Sequence, residues 1–368
     1  MIFSCQTKDL VSAVMTSIRC LAARTPMEIL EKVYVDADEK GLTIAAADGA
    51  MASFTTVPAT IVTDGVCLLP GRLLSEVARK LPEGEVKCSL SDKYVMTFTA
   101  GNVKINLSAM PADEYPLPAE EGYDSSLSLP QPLLKDMISK VAFTVPQEDQ
   151  RLILTGGYLH IQGGRADLVG LDGYRMAMRS ELISDTALAA KAVIPVRALE
   201  EIAKLMGEDE EKLAKISFNK SSVKVENGET VLYANLLNGE YIDYNRVIPK
   251  TAALKAEVDM GEFAACVDRA QMIARLSRNN LVRIEVEDNR LVISAQSEQG
   301  DVTDVLPAVT DGSGLVIHFN VRYLSEIARV MNKGRAVISF GTATSPCVIT
   351  PVEGSEFLFL VLPVRTNT

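Results

Sequence analysis

The chain has no tryptophan, only two histidines, and aromatic residues at just 5%. The histidines, His160 and His318, sit in apolar, strand-like runs, and two isolated imidazoles build neither a zinc site nor a Ser-His-Asp triad. The six cysteines, Cys5, Cys20, Cys67, Cys88, Cys266 and Cys347, are scattered without a CxxC pair, so they read as buried free thiols. No apolar run reaches the length of a membrane span and no signal pattern follows Met1, which predicts a cytoplasmic protein without membrane contact. Phosphate loop, nucleophile elbow and metal signature are all missing, so no catalytic residue, metal or cofactor is indicated. Positive charge is also in deficit. A formal net charge of −11 excludes a protein that coats nucleic acid with its whole surface, but leaves room for a local basic lining.

What the chain does contain is repetition. Its 368 residues are too many for one ordinary domain. The segments RLLSEVARKL, RALEEIAKLM and RYLSEIARVM begin at Arg72, Arg197 and Arg322, a constant interval of 125 residues. Four columns are identical: Arg72/Arg197/Arg322, Leu74/Leu199/Leu324, Glu76/Glu201/Glu326 and Ala78/Ala203/Ala328. Turn-like pairs at Gly101-Asn102, Asn227-Gly228 and Glu353-Gly354 interrupt alternating apolar sequence and set a second register, with Asn102, Gly228 and Gly354 spaced by 126. Each unit also opens with an amphipathic helix, marked by Leu10, Val14 and Ile18, by Leu134, Ile138 and Val141, and by Phe263, Val267 and Ala270.

The remainder alternates as strands, for example EKVYVDAD and VRIEVEDNRLVISAQ. Each unit thus holds two helices and six to eight strands, an α+β class built on antiparallel sheet. Linkers at 116–126 and 248–257 divide the chain into domains 1–122, 126–249 and 255–368.

The repeated helix turns an apolar stripe inward and a polar stripe outward. That outer face carries Arg72, Glu76 and Arg79, then Arg197, Glu201 and Lys204, then Arg322, Glu326 and Arg329. A solvated face of i, i+4 ion pairs explains one such helix; its threefold recurrence points to use. Lys8, Arg19 and Arg24, Lys135 and Lys140, and Arg269, Arg275 and Arg278 add bases near the opening helices. Such a lining suits polyanion phosphates without reading sequence, and the lack of interleaved aromatics favours duplex over single-stranded DNA.

Specific strings then carry a resemblance: LPEGEV, INLSAMPADEYP, LVGLDGYRMA, AVIPVRALEEIAKLM, NGEYIDYNRVIPK, HFNVRYLSEIARVM and FLVLPVR. Together they make the chain similar to the bacterial DNA polymerase III beta subunit family, the sliding clamps, over its whole length. The resemblance implies three tandem clamp domains and a head-to-tail homodimeric ring around duplex DNA. It also implies a clamp loader, the polymerase III alpha subunit, and other polymerases and repair proteins as partners. It implies Arg24, Arg72, Arg79, Lys135, Lys140, Arg197, Lys204, Arg269, Arg322 and Arg329 as DNA-facing. It further implies a peptide pocket between domains two and three, at Leu154, Leu171, Gly173, Tyr174, Arg175, Met176, Ile242, Arg246, Val247, Thr344, Pro346, Val361, Leu362, Pro363, Val364 and Arg365. Ile105 and Leu107 match one side of the family's dimer interface, and Met272 and Ile273 the other.

Leu171, Tyr174 and Ile242 depart from the family's usual Thr, His and Pro, and Thr366-Asn367-Thr368 runs past its usual end. Glu148 falls where a neutral DNA contact is expected. Three rival readings remain: an enzyme using Asp172, Tyr174, Arg175 and Arg246; a repeat scaffold that binds proteins but not DNA; and a specialised second clamp with an altered pocket.

Overall fold

The computed structural model describes residues 1–22, 25–118, 122–331 and 333–366. Among them are six α-helices: α1 (Thr7–Ser17), α2 (Gly71–Lys80), α3 (Gln131–Ala142), α4 (Val196–Leu205), α5 (Met260–Ala274) and α6 (Val321–Val330). The helical periodicity thus locates two helices in each repeat. The first repeat carries nine described strands, one more than expected, because Thr60–Thr63 separates from Met51–Val57; the other two carry eight each.

The repeated helices bury the stripe that the sequence marks. Leu74, Val77 and Ala78 of α2, Leu199 and Ile202 of α4, and Leu324, Ile327 and Ala328 of α6 are all buried. The start of α2 is a glycine for want of space: a Cβ on Gly71 would lie 2.4 Å from Leu21 Cδ1 and 2.9 Å from Val33 Cγ2. In the third repeat, α5 and α6 are capped by Asp259 and Asn320, whose side chains accept the amides of Glu262 (2.9 Å) and Arg322 (3.0 Å). Ser325 Oγ on α6 then donates to Gln271 Oε1 on α5 at 3.0 Å, tying the pair together.

The chain forms two compact units, one of residues 1–135 with 201–236, the other of 136–200 with 237–368. The division cuts through the middle repeat because sheets run across repeat boundaries. In the first unit, Thr230–Asn235, which closes the second repeat, adds antiparallel to Met51–Val57 of the first, with Thr230 opposite Thr55. An eight-stranded sheet results. In the second unit, Phe357–Val361, which closes the third repeat, adds antiparallel to Arg175–Leu182 of the second, with Val361 opposite Arg175, within a twelve-stranded sheet. The corresponding closing strand of the first repeat, Val103–Ser108, is an edge: among the described strands it pairs only with Val95–Ala100. Likewise residues 300–307 pair on one side only, with Arg290–Ser297.

The turn register needs correction. Gly101 and Gly228 share φ +54 and occupy the first place of two-residue turns, 127 residues apart rather than 126. The third turn is no tight hairpin: Cys347–Pro351 and Phe357–Val361 are joined by residues 352–356.

All six cysteines are free and buried, and burial pushes the Cys5 and Cys67 thiols up to about 12. Buried Tyr115 packs in a cluster with Ala47, Ala52, Leu68 and Ala112. Its hydroxyl accepts from the Ala47 amide at 3.0 Å and donates to the Lys32 carbonyl at 3.0 Å.

Tyr115→Phe leaves both backbone groups unsatisfied and is expected to cost about 1–3 kcal/mol in urea unfolding. Burial pushes the hydroxyl up to about 12 from 10.0, so its contribution is complete below pH 10.0 and is lost as pH rises through about 12. The loss of stability across that window should be shallower in the phenylalanine variant.

Candidate functional site

Within the second unit, Arg165–Leu171 leads through a turn into Arg175–Leu182. Asp172 Oδ1 accepts the amides of Tyr174 (2.9 Å) and Arg175 (3.0 Å), and Gly173 takes φ +88, which favours glycine. The chain end docks on this turn: the Leu362 amide donates to the Tyr174 carbonyl, and the Val364 amide to the His318 carbonyl, each at 2.8 Å. Beneath lies an apolar cluster of Leu154, Val169, Leu171, Met176, Tyr244, Val348 and Leu360, with Ile242 and Leu362 packed against it.

The expected pocket residues therefore fall into layers. Leu154, Leu171 and Met176 are buried and form the floor from below, and Val361 is buried beside Leu360 of that cluster. Arg175, Ile242, Pro346, Leu362, Pro363 and Val364 are half-buried, while Gly173, Tyr174, Arg246, Val247, Thr344 and Arg365 are exposed. Tyr174 is 61% exposed, a large apolar ring offered to solvent. Arg246 is exposed and pairs with Asp243 at 2.9 Å.

Arg175 is the hub of the site. Its Nε donates to Asp172 Oδ2 at 3.0 Å, one terminal nitrogen to the Phe143 carbonyl at 2.8 Å, and the other to Glu326 of α6. Its guanidinium carbon lies 5.4 Å from the Phe143 ring centroid and 4.8 Å from that of Tyr323, and Tyr323 stacks with Tyr174 at 6.1 Å. Burial, together with Asp172, raises the Tyr323 hydroxyl above its ordinary value. Phe143, Tyr323 and Glu326 were missed as site residues. The one available signal was a column of the triplicated helix in which Leu73 and Ala198 become Tyr323.

The two remaining acids of the helix triplet correct the picture of three solvated polar faces. Glu76 is exposed, but Glu201 is 9% exposed, bonded through Oε1 to Lys204 at 2.7 Å, with no partner for Oε2 among the described residues. Of the bases expected to face DNA, Arg72, Arg79, Arg197, Lys204, Arg322 and Arg329 lie exposed on the three helices. Lys135 pairs with Glu208, and Arg269 with Asp304 at 2.5 Å. Lys140 is half-buried, bonded to Asp136 at 2.8 Å and 5.8 Å from the Phe357 ring centroid. Arg24 lies outside the described residues. On the edge strand of the first repeat, Leu107 is buried in its own domain while Ile105 is half-exposed. On α5, Met272 is 54% exposed and Ile273 is half-buried; Leu276 and Val305 are exposed as well.

The comparisons with known proteins agree along the length of the chain. The family model for the N-terminal domain of the DNA polymerase III beta subunit matches residues 1–119, that for its central domain 128–243, and that for its C-terminal domain 245–365. Three tandem domains of this kind define a DNA-clamp fold. The chain belongs to the DNA polymerase III beta subunit family. It is 28% identical to the beta sliding clamp of Staphylococcus aureus over 360 residues, 95% of each chain. The DNA polymerase sliding clamp of Bacillus subtilis is similar in structure, with a TM-score of 0.95, 28% identity and full coverage of both chains. A Pseudomonas aeruginosa clamp bound to griselimycin shares the fold, with a TM-score of 0.93, 21% identity and full coverage of both chains.

Asp172→Ala removes the one acceptor of two amides and one carboxylate partner of Arg175, and is expected to lower stability by about 1–3 kcal/mol. Chemical denaturation checks this; an unchanged midpoint would show that the turn holds without its aspartate.

Proposed function

We propose that the chain is a sliding clamp whose two copies close head to tail into a ring around duplex DNA and tether the replicative polymerase. It works as a processivity factor and carries out no chemistry of its own. The three clamp domains span 1–122, 126–249 and 255–368. The observation that carries this reading is the strand junction made twice in one chain, together with the two edges that remain. The closing strand of each later repeat joins the sheet of the repeat before it. Val103–Ser108 is the closing strand of the first repeat and residues 300–307 form the receiving strand of the third, and among the described strands each is paired on one side only. Joining one copy's first edge to the other copy's second repeats the same junction between molecules and closes a twofold assembly. Exposed Met272, Leu276 and Val305 beside the receiving edge, and half-exposed Ile105 on the other, supply apolar cover for that contact.

In such a ring α2, α4 and α6 line the hole, and Arg72, Arg197 and Arg322 meet phosphates. Sequence-independent contacts of this kind suit sliding, while closure rather than affinity retains the DNA. The apolar floor, exposed Tyr174 and half-buried Arg175 form a slot for short peptides with apolar anchors. The polymerase III alpha subunit, the clamp loader, and other polymerases and repair proteins are the partners proposed for it. The protein acts in the cytoplasm; no described helix is long and apolar enough to cross a membrane.

The test is topological. Protein loaded by an active ATP-driven loader onto nicked circular DNA should stay bound at moderate salt and leave rapidly once the circle is cut. Equal loss from circle and linear DNA would overturn the ring. Reversing Arg72, Arg197 and Arg322 to Glu should sharply lower the amount loaded onto the circle while peptide binding persists; a protein-binding scaffold would be indifferent. Ile105→Asp should yield a monomer in sedimentation that still binds peptide.

A further inference from the structure

The internal repeat allows one turn to be compared with another. In the first repeat Asp48 Oδ1 accepts the amides of Ala50 (2.9 Å) and Met51 (2.8 Å), and Gly49 has φ +90. In the second, Asp172 Oδ1 accepts those of Tyr174 (2.9 Å) and Arg175 (3.0 Å), and Gly173 has φ +88. The two turns share one backbone design and each leads into the strand that receives a neighbour's closing strand. They differ in what they present: Ala50 and Met51 in one, Tyr174 and Arg175 in the other.

The repeated helices change in step. The columns filled by Ala198 and Glu201 in α4 are filled by Tyr323 and Glu326 in α6. Ala198 is fully buried, and Glu201 bonds Lys204 on its own helix. Glu326 instead crosses to the second repeat and pairs with Arg175, whose side chain is only 10% exposed.

We infer that Glu326 is the positioning residue of the peptide pocket, holding Arg175 so that Tyr174 and Tyr323 form its aromatic wall. This rests on the peptide-pocket reading above and adds the residue that makes it receptive. The physical reason is the cost of a buried cation. Arg175 has three anchors, the Asp172 carboxylate, the Phe143 carbonyl and Glu326, and it lies against both Phe143 and Tyr323. Without Glu326 the guanidinium keeps a single carboxylate and swings toward water, carrying the adjoining turn with it. The pairing also engages the one carboxylate that stands between exposed Arg322 and Arg329, so the outer face of α6 presents its two cations.

The test is a double-mutant cycle read by fluorescence polarisation, using a fluorescein-labelled short peptide with leucine and phenylalanine anchors. Glu326→Gln keeps the side-chain volume; Arg175→Met installs the residue that the first repeat has. Each single change is expected to weaken binding about tenfold, and the double variant should bind no more weakly than Arg175→Met alone. Wild-type affinity in Glu326→Gln, or losses that multiply in the double variant, would overturn the inference. A second measurement needs no peptide. In the free protein, Glu326→Gln should speed amide hydrogen exchange at Tyr174 and Arg175 and leave Ala50 and Met51 unchanged. Unaltered exchange at Tyr174 and Arg175 overturns the positioning role. Faster exchange there in a protein that binds no peptide even as wild type upholds the positioning role and sinks the pocket reading alone.

Discussion

The backbone hydrogen bonds by which one repeat's closing strand joins the sheet of the preceding repeat govern the rest of the molecule. A strand that pairs in antiparallel register sends alternate side chains to opposite faces, and a slip of one residue would invert them. Val361 opposite Arg175 and Leu360 opposite Met176 put Leu360 and Met176 into the apolar cluster while bringing the chain end to the Asp172 turn. The same bonding capacity leaves Val103–Ser108 and residues 300–307 paired on one side only among the described strands. An open edge is a template for another chain, and proteins that keep one must pair it, cover it or charge it.

The site combines two unlike environments. Its floor gains from burying Leu154, Leu171 and Met176, each worth roughly 1.5–3 kcal/mol relative to exposure. Its wall holds a guanidinium whose desolvation is offset by two carboxylates, a carbonyl and two aromatic faces. An arginine suits this place because its planar fork bonds in several directions while its faces stack; a lysine ammonium cannot do both.

Much of this architecture is legible in the sequence because it is local. The i, i+3 and i+4 stripes locate all six described helices, and alternating apolar residues mark strands such as Lys32–Asp38 and Leu281–Glu287, whose burial alternates accordingly. The two-residue turns at Gly101 and Gly228 are visible for the same reason, but the 352–356 connection imitates their composition without their geometry. Long-range pairing is what local pattern cannot carry. Glu326 looks like the twin of Glu76 and Glu201 by column, yet its partner stands 151 residues away. The proposal of a pocket there came from the family resemblance, since the floor reads as ordinary strand and the turn as an ordinary Asp-Gly bend. The DNA-facing reading of Lys140 illustrates the converse: Asp136, four residues before it on α3, is a partner the spacing offers, but the Phe357 ring against which Lys140 also lies is a matter of long-range packing.

The buried thiols have a consequence for how the molecule can be watched. Each of the six native cysteines lies inside, and burial holds those at Cys5, Cys67, Cys88, Cys266 and Cys347 as neutral thiols. Electrophilic dyes react with thiolates, so the folded protein is nearly silent toward them. One cysteine placed on an exposed strand edge then becomes a chemically unique handle, and a dye pair on two such edges turns the meeting of molecules into an optical signal without removing a native residue.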